Sequence, residues 1–279
     1  MRLMKVTMMT VVVVCLLAVN GFAYSLPGGM TGYNSMGKSF VWETWTDIEP
    51  EPTAPADADF LKFDGNQNVT GFKPVPGFGG NLSFLAGGSS NPLSSFQATV
   101  GYSNYSPSAS AGVASFGLEF SWHAGQDSYG DDMYSGIGVY RGTVAAGAES
   151  GVTQDLDGFA VSFWSDDEDN YPEQLEFSPT PGGPNGSLSL SLSGGQLEAK
   201  FLLGDGTWES FALIDLTALG WSSTAMDQVL GLSGQEADVD FANFQSSPEA
   251  PAATPIPGAV WLLGSGLVGL AGFRKRFRR

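Results

Sequence analysis

Ser187-Leu188-Ser189-Leu190-Ser191-Leu192-Ser193-Gly194-Gly195-Gln196-Leu197-Glu198-Ala199-Lys200-Phe201 alternates leucine with serine, breaks at two glycines and resumes the alternation. A period of two sends successive side chains to opposite faces, so this pattern marks two strands that each bury one face. Gly194-Gly195 accepts the positive φ that a two-residue hairpin turn needs at both positions. The turn sets the register: Ser193 faces Gln196, Leu192 faces Leu197, Leu190 faces Ala199 and Leu188 faces Phe201. Every apolar residue then meets another, and a slip of one residue would break all of these pairs. Asp205-Gly206 predicts the next turn, with Leu203 opposite Trp208, Ala199 opposite Ala212 and Leu197 opposite Ile214. Ser210 opposite Phe201 is the one poor fit. The stretch from Ser187 to Asp215 therefore reads as a three-strand meander.

The same period recurs outward from it. Ser115-Phe116-Gly117-Leu118-Glu119-Phe120-Ser121-Trp122 and Gly158-Phe159-Ala160-Val161-Ser162-Phe163-Trp164 predict core faces made of Phe116, Leu118, Phe120, Trp122 and of Phe159, Val161, Phe163. Helical periodicity is confined to a turn or two around Thr224 to Leu230. About a dozen such runs, separated by Gly, Pro, Asn and Ser clusters, predict an all-β fold, one antiparallel β-sandwich over residues 26–246. The acidic, Pro-rich segment from Glu49 to Ala58 reads as an exposed loop of that domain, and no internal repeat is visible. Asp157-Gly158-Phe159-Ala160-Val161, the meander and the closing strand Asp238-Val239-Asp240-Phe241-Ala242-Asn243-Phe244 resemble concanavalin-like jelly rolls, which implies a sandwich of that type.

Charge is unevenly divided along the chain. The whole sequence of 279 residues carries a net −17, but seven of its 12 basic residues lie near the ends. Between them only Lys38, Lys62, Lys73, Arg141 and Lys200 face all 29 acidic residues. Such a surface repels nucleic acid and anionic head groups, and suits cations, neutral glycans or plain colloidal solubility. The single cysteine, Cys15, lies in the first segment, so the remaining chain has no disulfide and depends on a packed core.

The ends read as addresses. Arg2 and Lys5, the apolar stretch Met8 to Val19 and the small-x-small Gly21-Phe22-Ala23 describe a secretory signal peptide over 1–23, cleaved after Ala23 or after Ser25. Pro248 to Pro255 is a stiff extended spacer within a linker over 247–257. From Ile256 to Phe273 no residue is charged, and about 18 residues at roughly 1.5 Å each cross a hydrocarbon core as one helix, placed at 258–273. The basic tail 274–279 stays on the cytoplasmic side, so what precedes the span faces outward.

The order Pro255-Ile256-Pro257-Gly258, aromatic-led apolar span, then Arg274, Lys275, Arg276, Arg278 and Arg279, joined to a signal peptide, resembles the PEP-CTERM class of exported bacterial proteins over residues 254–279. Ile256 stands where the usual motif has Glu, a Pro-x-Pro variant. The resemblance implies recognition by an exosortase-type membrane transpeptidase, passage through the inner membrane to the cell surface or medium, and association with exopolysaccharide. An ordinary C-terminal anchor is the other reading of the same residues. Two further matches mislead. Gly264-Ser265-Gly266-Leu267-Val268-Gly269 fits a dinucleotide pattern but lies within the apolar span, and Pro50-Glu51-Pro52 has no span after it.

Catalytic chemistry has few carriers. With one histidine, His123, a serine triad or multi-histidine metal site would depend on that residue, which reads as a loop histidine without a catalytic role. Glu236, Asp238 and Asp240 put three acids on one face of a strand at roughly 6.6 to 7 Å steps, a spacing that a glycosidase acid and base could use. The bland reading is a closing strand, not a central one, with Val239 and Phe241 inward and its acids in water. Asp166, Asp167, Glu168 and Asp169, and Asp127 with Asp131 and Asp132, are oxygen-rich loops suited to calcium, the one candidate cofactor. Asp64-Gly65-Asn66-Gln67-Asn68 has calcium-loop spacing, but Val69 and Val75 stand where an EF-hand needs Gly and Glu, so it reads as a turn. Trp42, Trp45, Trp122, Trp164, Trp208 and Trp221 predict mostly core positions, with one or two free to stack on sugar rings. The expectation is an exported, noncatalytic structural or glycan-binding sandwich, with a jelly-roll glycoside hydrolase as the alternative.

Overall fold

The computed structural model of the protein describes Leu26 and residues 40–46, 52–109, 112–148, 154–167, 174–178, 180–203, 205–211 and 213–247. The signal peptide expected over 1–23, the Pro-x-Pro segment, the span expected at 258–273 and the basic tail lie outside these residues. Among the described residues no helix is long and apolar enough to cross a membrane.

The described strands form two antiparallel sheets. One has seven strands in the order β1 (Val41–Thr46), β4 (Phe78–Gly88), β14 (Asp227–Gln235), β6 (Val113–Gln126), β7 (Asp132–Val144), β8 (Leu156–Ser165), β9 (Gln174–Ser178). The other has eight strands, seven of them in the order β12 (Trp208–Ser210), β11 (Gln196–Leu202), β10 (Gly186–Ser193), β5 (Ser95–Pro107), β15 (Ala237–Ser247), β3 (Val69–Phe72), β2 (Leu61–Phe63). Its eighth, β13 (Ile214–Asp215), also pairs with β11. The all-β antiparallel sandwich expected from the period-two pattern is the architecture of the chain.

The hairpin that set the reading has the predicted register, with Leu188, Leu190 and Leu192 opposite Phe201, Ala199 and Leu197. All six are buried, at 0 to 2% exposure. Gly194 and Gly195 take φ of 59° and 84°. The next turn differs from expectation by one residue: Leu202, not Leu203, faces Trp208, and Phe201 faces Glu209. The reason is in the loop. Gly206 N–H donates to the Leu203 carbonyl while Leu203 N–H donates to the Thr207 carbonyl, so the chain closes around three residues instead of two. Gly206 sits at φ 85°, the bulged position such a loop requires. Leu197 still faces Ile214 as expected, because the register recovers before β13.

Two other expectations are corrected. Thr224 to Leu230 holds no helix: Asp227 to Gln235 is β14, its Leu230 and Leu232 pairing with Phe84 and Leu82 on one side and Phe120 and Leu118 on the other. A strand with apolar partners on both flanks overrides a short helical pattern. The helical segments among the described residues are Asp57–Phe60 and the 3-10 turn Leu216–Leu219. The acidic strand β15 is not peripheral either, since it pairs with β5 and with β3 inside the eight-stranded sheet.

The core lies between the sheets and is largely aromatic. Phe116, Phe120, Phe84 and Phe159 of the seven-stranded sheet meet Phe241, Phe96, Phe244 and Phe201 of the other, with centroids 5.2, 4.8, 6.5 and 4.0 Å apart. Each fully buried Phe contributes about 1.5–3 kcal/mol, and well-placed ring pairs add about 0.5–1.5 kcal/mol. The predicted core faces of β6 and β8 are all buried.

Candidate functional site

With Phe116, Leu118, Phe120 and Trp122 turned to the core, the intervening residues of β6 stand on the face that the second sheet does not cover. The register carries this outer face across the sheet. Glu119 lies beside Gly231 of β14 and Gly138 of β7, and Gly117 beside Ser233 and Tyr140. Small residues here leave room for rings to lie down. A side chain at Gly117 or Gly138 would run into the Tyr140 ring, and one at Gly136 into the Trp164 ring. Both aromatics therefore lie flat across neighbouring strands.

Glu119 sits among them, only 8% exposed. Its carboxyl accepts the Trp164 Nε1–H at 2.9 Å and hydrogen bonds from the Tyr140 and Ser233 hydroxyls. Burial raises its pKa more than these donors lower it. Tyr140 is held well above the usual phenol range, by burial first and then by the neighbouring carboxylate. No Lys or Arg among the described residues shares this face. Lys62 pairs with β15 acids, Lys73 Nζ donates to the Ala58 carbonyl, Lys200 pairs with Glu198, and Arg141 turns to the inter-sheet side.

Toward the β1 edge, Glu43 stands directly opposite Asn81, and the Trp45 ring lies over Gly79. Burial alone pushes the Glu43 carboxyl up to about 7. Asn81 Oδ1 is buried and accepts no hydrogen bond among the described residues. At one end of the face His123 Nε2 is 3.2 Å from Asp132 Oδ1, which also accepts from Gln126 at 3.0 Å. These bonds hold the Asp132 carboxyl below the ordinary range. Sequence reasoning left out Glu43, Asn81 and Glu119. The available signal was a single glutamate among glycine and serine on the second face of a strand whose first face is wholly apolar.

The acids that the sequence singled out lie elsewhere. Asp238 and Asp240 stand on the outer side of the eight-stranded sheet, both bonded to Lys62 Nζ, the second at 2.8 Å. Asn104 Nδ2–H donates to the other oxygen of Asp240 at 2.7 Å. These partners hold the Asp240 carboxyl low despite its partial burial, and the Lys62 ammonium high. Val239 and Phe241 point inward as expected. Glu236 is in the turn before β15, at φ 50°, where Oε1 accepts the Gly77 N–H. Glu43 and Glu119 do not make a hydrolase pair either. Two strands separate theirs, so about three strand spacings, roughly 14 Å, lie between them, against about 5 to 9.5 Å for glycosidase carboxyls.

Of the calcium candidates, Glu168 and Asp169 lie outside the described residues. Asp166 Oδ2 accepts the Tyr134 N–H at 2.8 Å, tying that loop to β7. Asp127 Oδ1 accepts from Tyr129 and Asp131 within its own turn. Among the described residues no group of three or more His, Cys, Asp and Glu side chains is arranged to hold a metal ion. Asp64 closes its turn onto Asn66 and Asn68, as expected. Trp122, Trp164 and Trp221 are buried, Trp42 and Trp45 half-buried, and Trp208 is exposed beside the bulged turn. A cavity of about 250 Å³ opens between β9 and β12, at the opposite edge of the sheet from β1, lined by Glu176, Phe177, Phe201, Glu209 and Phe211 among others.

No protein-family model matches the chain, and no curated protein does. Among solved structures it is similar to the lectin UEA-II complexed with galactose, at 14% identity over 74% of this chain and 98% of that one, TM-score 0.42. The Ca2+/Man2-bound exoplasmic/lumenal domain of VIP36 matches at 12% identity over 77% and 83%, TM-score 0.42. An alginate lyase from Klebsiella pneumoniae matches at 11% identity over 71% and 87%, TM-score 0.41. Similarity at this level leaves ligand and chemistry to the chain's own residues.

Proposed function

We propose that the chain is an exported, noncatalytic β-sandwich of concanavalin-like type that binds extracellular polysaccharide on the outer face of its seven-stranded sheet. The observation that carries this reading is a pair of half-buried rings on the face the second sheet leaves uncovered: Tyr140 and Trp45 lie over glycine, with the Glu119 and Glu43 carboxyls beside them. Rings offer apolar faces to sugar C–H groups, and the polar atoms between them suit hydroxyls. The signal peptide and the Pro255-Ile256-Pro257 tail support export, with an exosortase-type transpeptidase as the partner that would process the domain for the cell surface. Calcium is the candidate cofactor through the loop from Asp166 to Asp169.

The full chain, in mild detergent, should be retarded in affinity gels by at least one extracellular polysaccharide. Running the panel with millimolar calcium and with chelator tests the cofactor at the same time. A panel without retardation in either condition sinks the glycan reading, and retardation that ignores calcium removes the cofactor.

A further inference from the structure

Trp45, Glu43 and Asn81 form a compact group at the β1 edge of the outer face, and their chemistry narrows the ligand. Glu43 and Asn81 are direct cross-strand partners, so their Cβ atoms are about 5 Å apart. Two residues along from Glu43, and on the same face, Trp45 lies across Gly79. The two polar groups have acceptor capacity to spare. Asn81 Oδ1 is buried without a hydrogen bond among the described residues. Only desolvation acts on the Glu43 carboxyl, with no donor offsetting it. Buried acceptors left without donors are costly, and a ligand that supplies O–H groups removes that cost.

The charge of the face decides which O–H donor. Its carboxyls, Glu43 and Glu119, have no Lys or Arg beside them among the described residues, and the one histidine is engaged by Asp132. Above pH 7, where Glu43 is ionised, a uronate or sulfated sugar would bring its own anion against a desolvated carboxylate with no cation to screen it, a repulsion that weak solvent exposure makes larger.

We propose that Trp45, Glu43 and Asn81 are a sugar subsite for an uncharged polysaccharide: a pyranose ring stacks on Trp45 while neighbouring hydroxyls donate to the Glu43 carboxyl and to Asn81 Oδ1. This rests on the glycan-binding reading and names its substrate class. Once Glu43 is ionised, the carboxylate that receives the hydroxyls also excludes polyuronates.

The test uses the full chain in mild detergent at pH 8, where Glu43 is ionised, and one salt concentration, against a neutral glucan, a neutral mannan, alginate, polygalacturonate and chitosan. A neutral polysaccharide should bind and the polyuronates should not. Trp45→Ala and Asn81→Ala should each weaken neutral binding about tenfold, the equivalent of one hydrogen bond or stacking contact. Trp45→Phe should retain most of it, and Trp208→Ala, on the other sheet, all of it. Equal or tighter binding of alginate overturns the assignment of substrate class. Neutral binding unchanged in Trp45→Ala and Asn81→Ala overturns the subsite while the glycan reading stands. Binding to none of the five overturns both. Thermal unfolding of each variant separates lost binding from lost fold, and a Trp45→Ala chain that fails to fold leaves Asn81→Ala and Trp45→Phe to decide.

Discussion

Glu43 shows how a sheet edge can hold an ionisable group in an unfavourable state. Its carboxyl is pushed up to about 7 by burial, so the folded chain holds the proton more tightly than the unfolded chain does. The sign follows: its contribution to stability is complete below the unfolded value of 4.5 and is lost as pH rises through about 7. Glu43→Gln, which cannot ionise, should melt higher than the parent at pH 8 and at nearly the same temperature at pH 4. Comparing variant with parent isolates Glu43 from Asp240 and Glu198, whose lowered pKa values act in the opposite direction, favouring the fold above their unfolded values. A parent-minus-variant difference that does not change with pH would refute the assignment. Glu119 is also raised, but it differs in having three donors around it. Glu43 has no distinguishing mark in the sequence, where it is one of 29 acidic residues, whereas Glu119 is the single glutamate among the glycines and serines of its strand face.

At the scale of elements, Arg141 joins a loop to the sandwich. It lies on the inter-sheet side of β7, 4% exposed, with its guanidinium 4.4 Å from the Tyr105 ring centroid. Its N–H groups donate to the carbonyls of Gly142 at 2.8 Å, Gly158 at 3.2 Å, Gly182 at 2.8 Å and Gly183 at 3.3 Å, and it pairs with Asp157. A planar five-donor group can serve four carbonyls together, which an ammonium cannot. A side chain at Gly182 would press on the guanidinium and displace it from these carbonyls. Arg141→Met keeps the packing volume but orphans these carbonyls, so it should cost about 3 kcal/mol in urea unfolding. It should also open the 180–185 segment to limited proteolysis. Stability within a few tenths of a kcal/mol of the parent would show that the bonds contribute nothing net.

The legible elements were those whose neighbours are close in sequence. The register of β10 against β11 follows from two glycines and six alternating residues, and the core faces of β6 and β8 follow from period alone. The second turn is ambiguous in sequence, because Asp205-Gly206 fits both a two-residue turn and a bulged three-residue one, and hydrogen bonds beyond the dipeptide decide between them. Thr224 to Leu230 is equally ambiguous, because the strand state of its last four residues depends on β4 and β6, far away in the chain.

For the whole molecule, the last two strands close both sheets. β14 lies between β4 and β6, and β15 between β5 and β3, so each sheet joins the start of the domain to its end. Such long-range pairing must pay its loop-closure entropy before contacts repay it, which favours slow, all-or-none folding. A chain ending at Ser222 would leave β4 without β6, and β3 without β5, with Phe84, Phe72 and Phe116 uncovered. It should give no cooperative urea transition and no dispersed amide spectrum. A folded product would show that the sandwich has an independent N-terminal subdomain.

What the sequence determined by itself is local and compositional: strands instead of helices, which face of each is apolar, the hairpin at Gly194-Gly195 and a strongly acidic domain. These depend on period, turn chemistry and charge, all of which act within a few residues. The tertiary structure decided which strands lie side by side, and with that the site. Glu119 meets Trp164 and Tyr140, Glu43 meets Asn81, and Lys62 pairs with Asp238 and Asp240, through pairings between strands distant in the chain. Strand order is set by the burial that the whole molecule achieves, and no short stretch of sequence contains it.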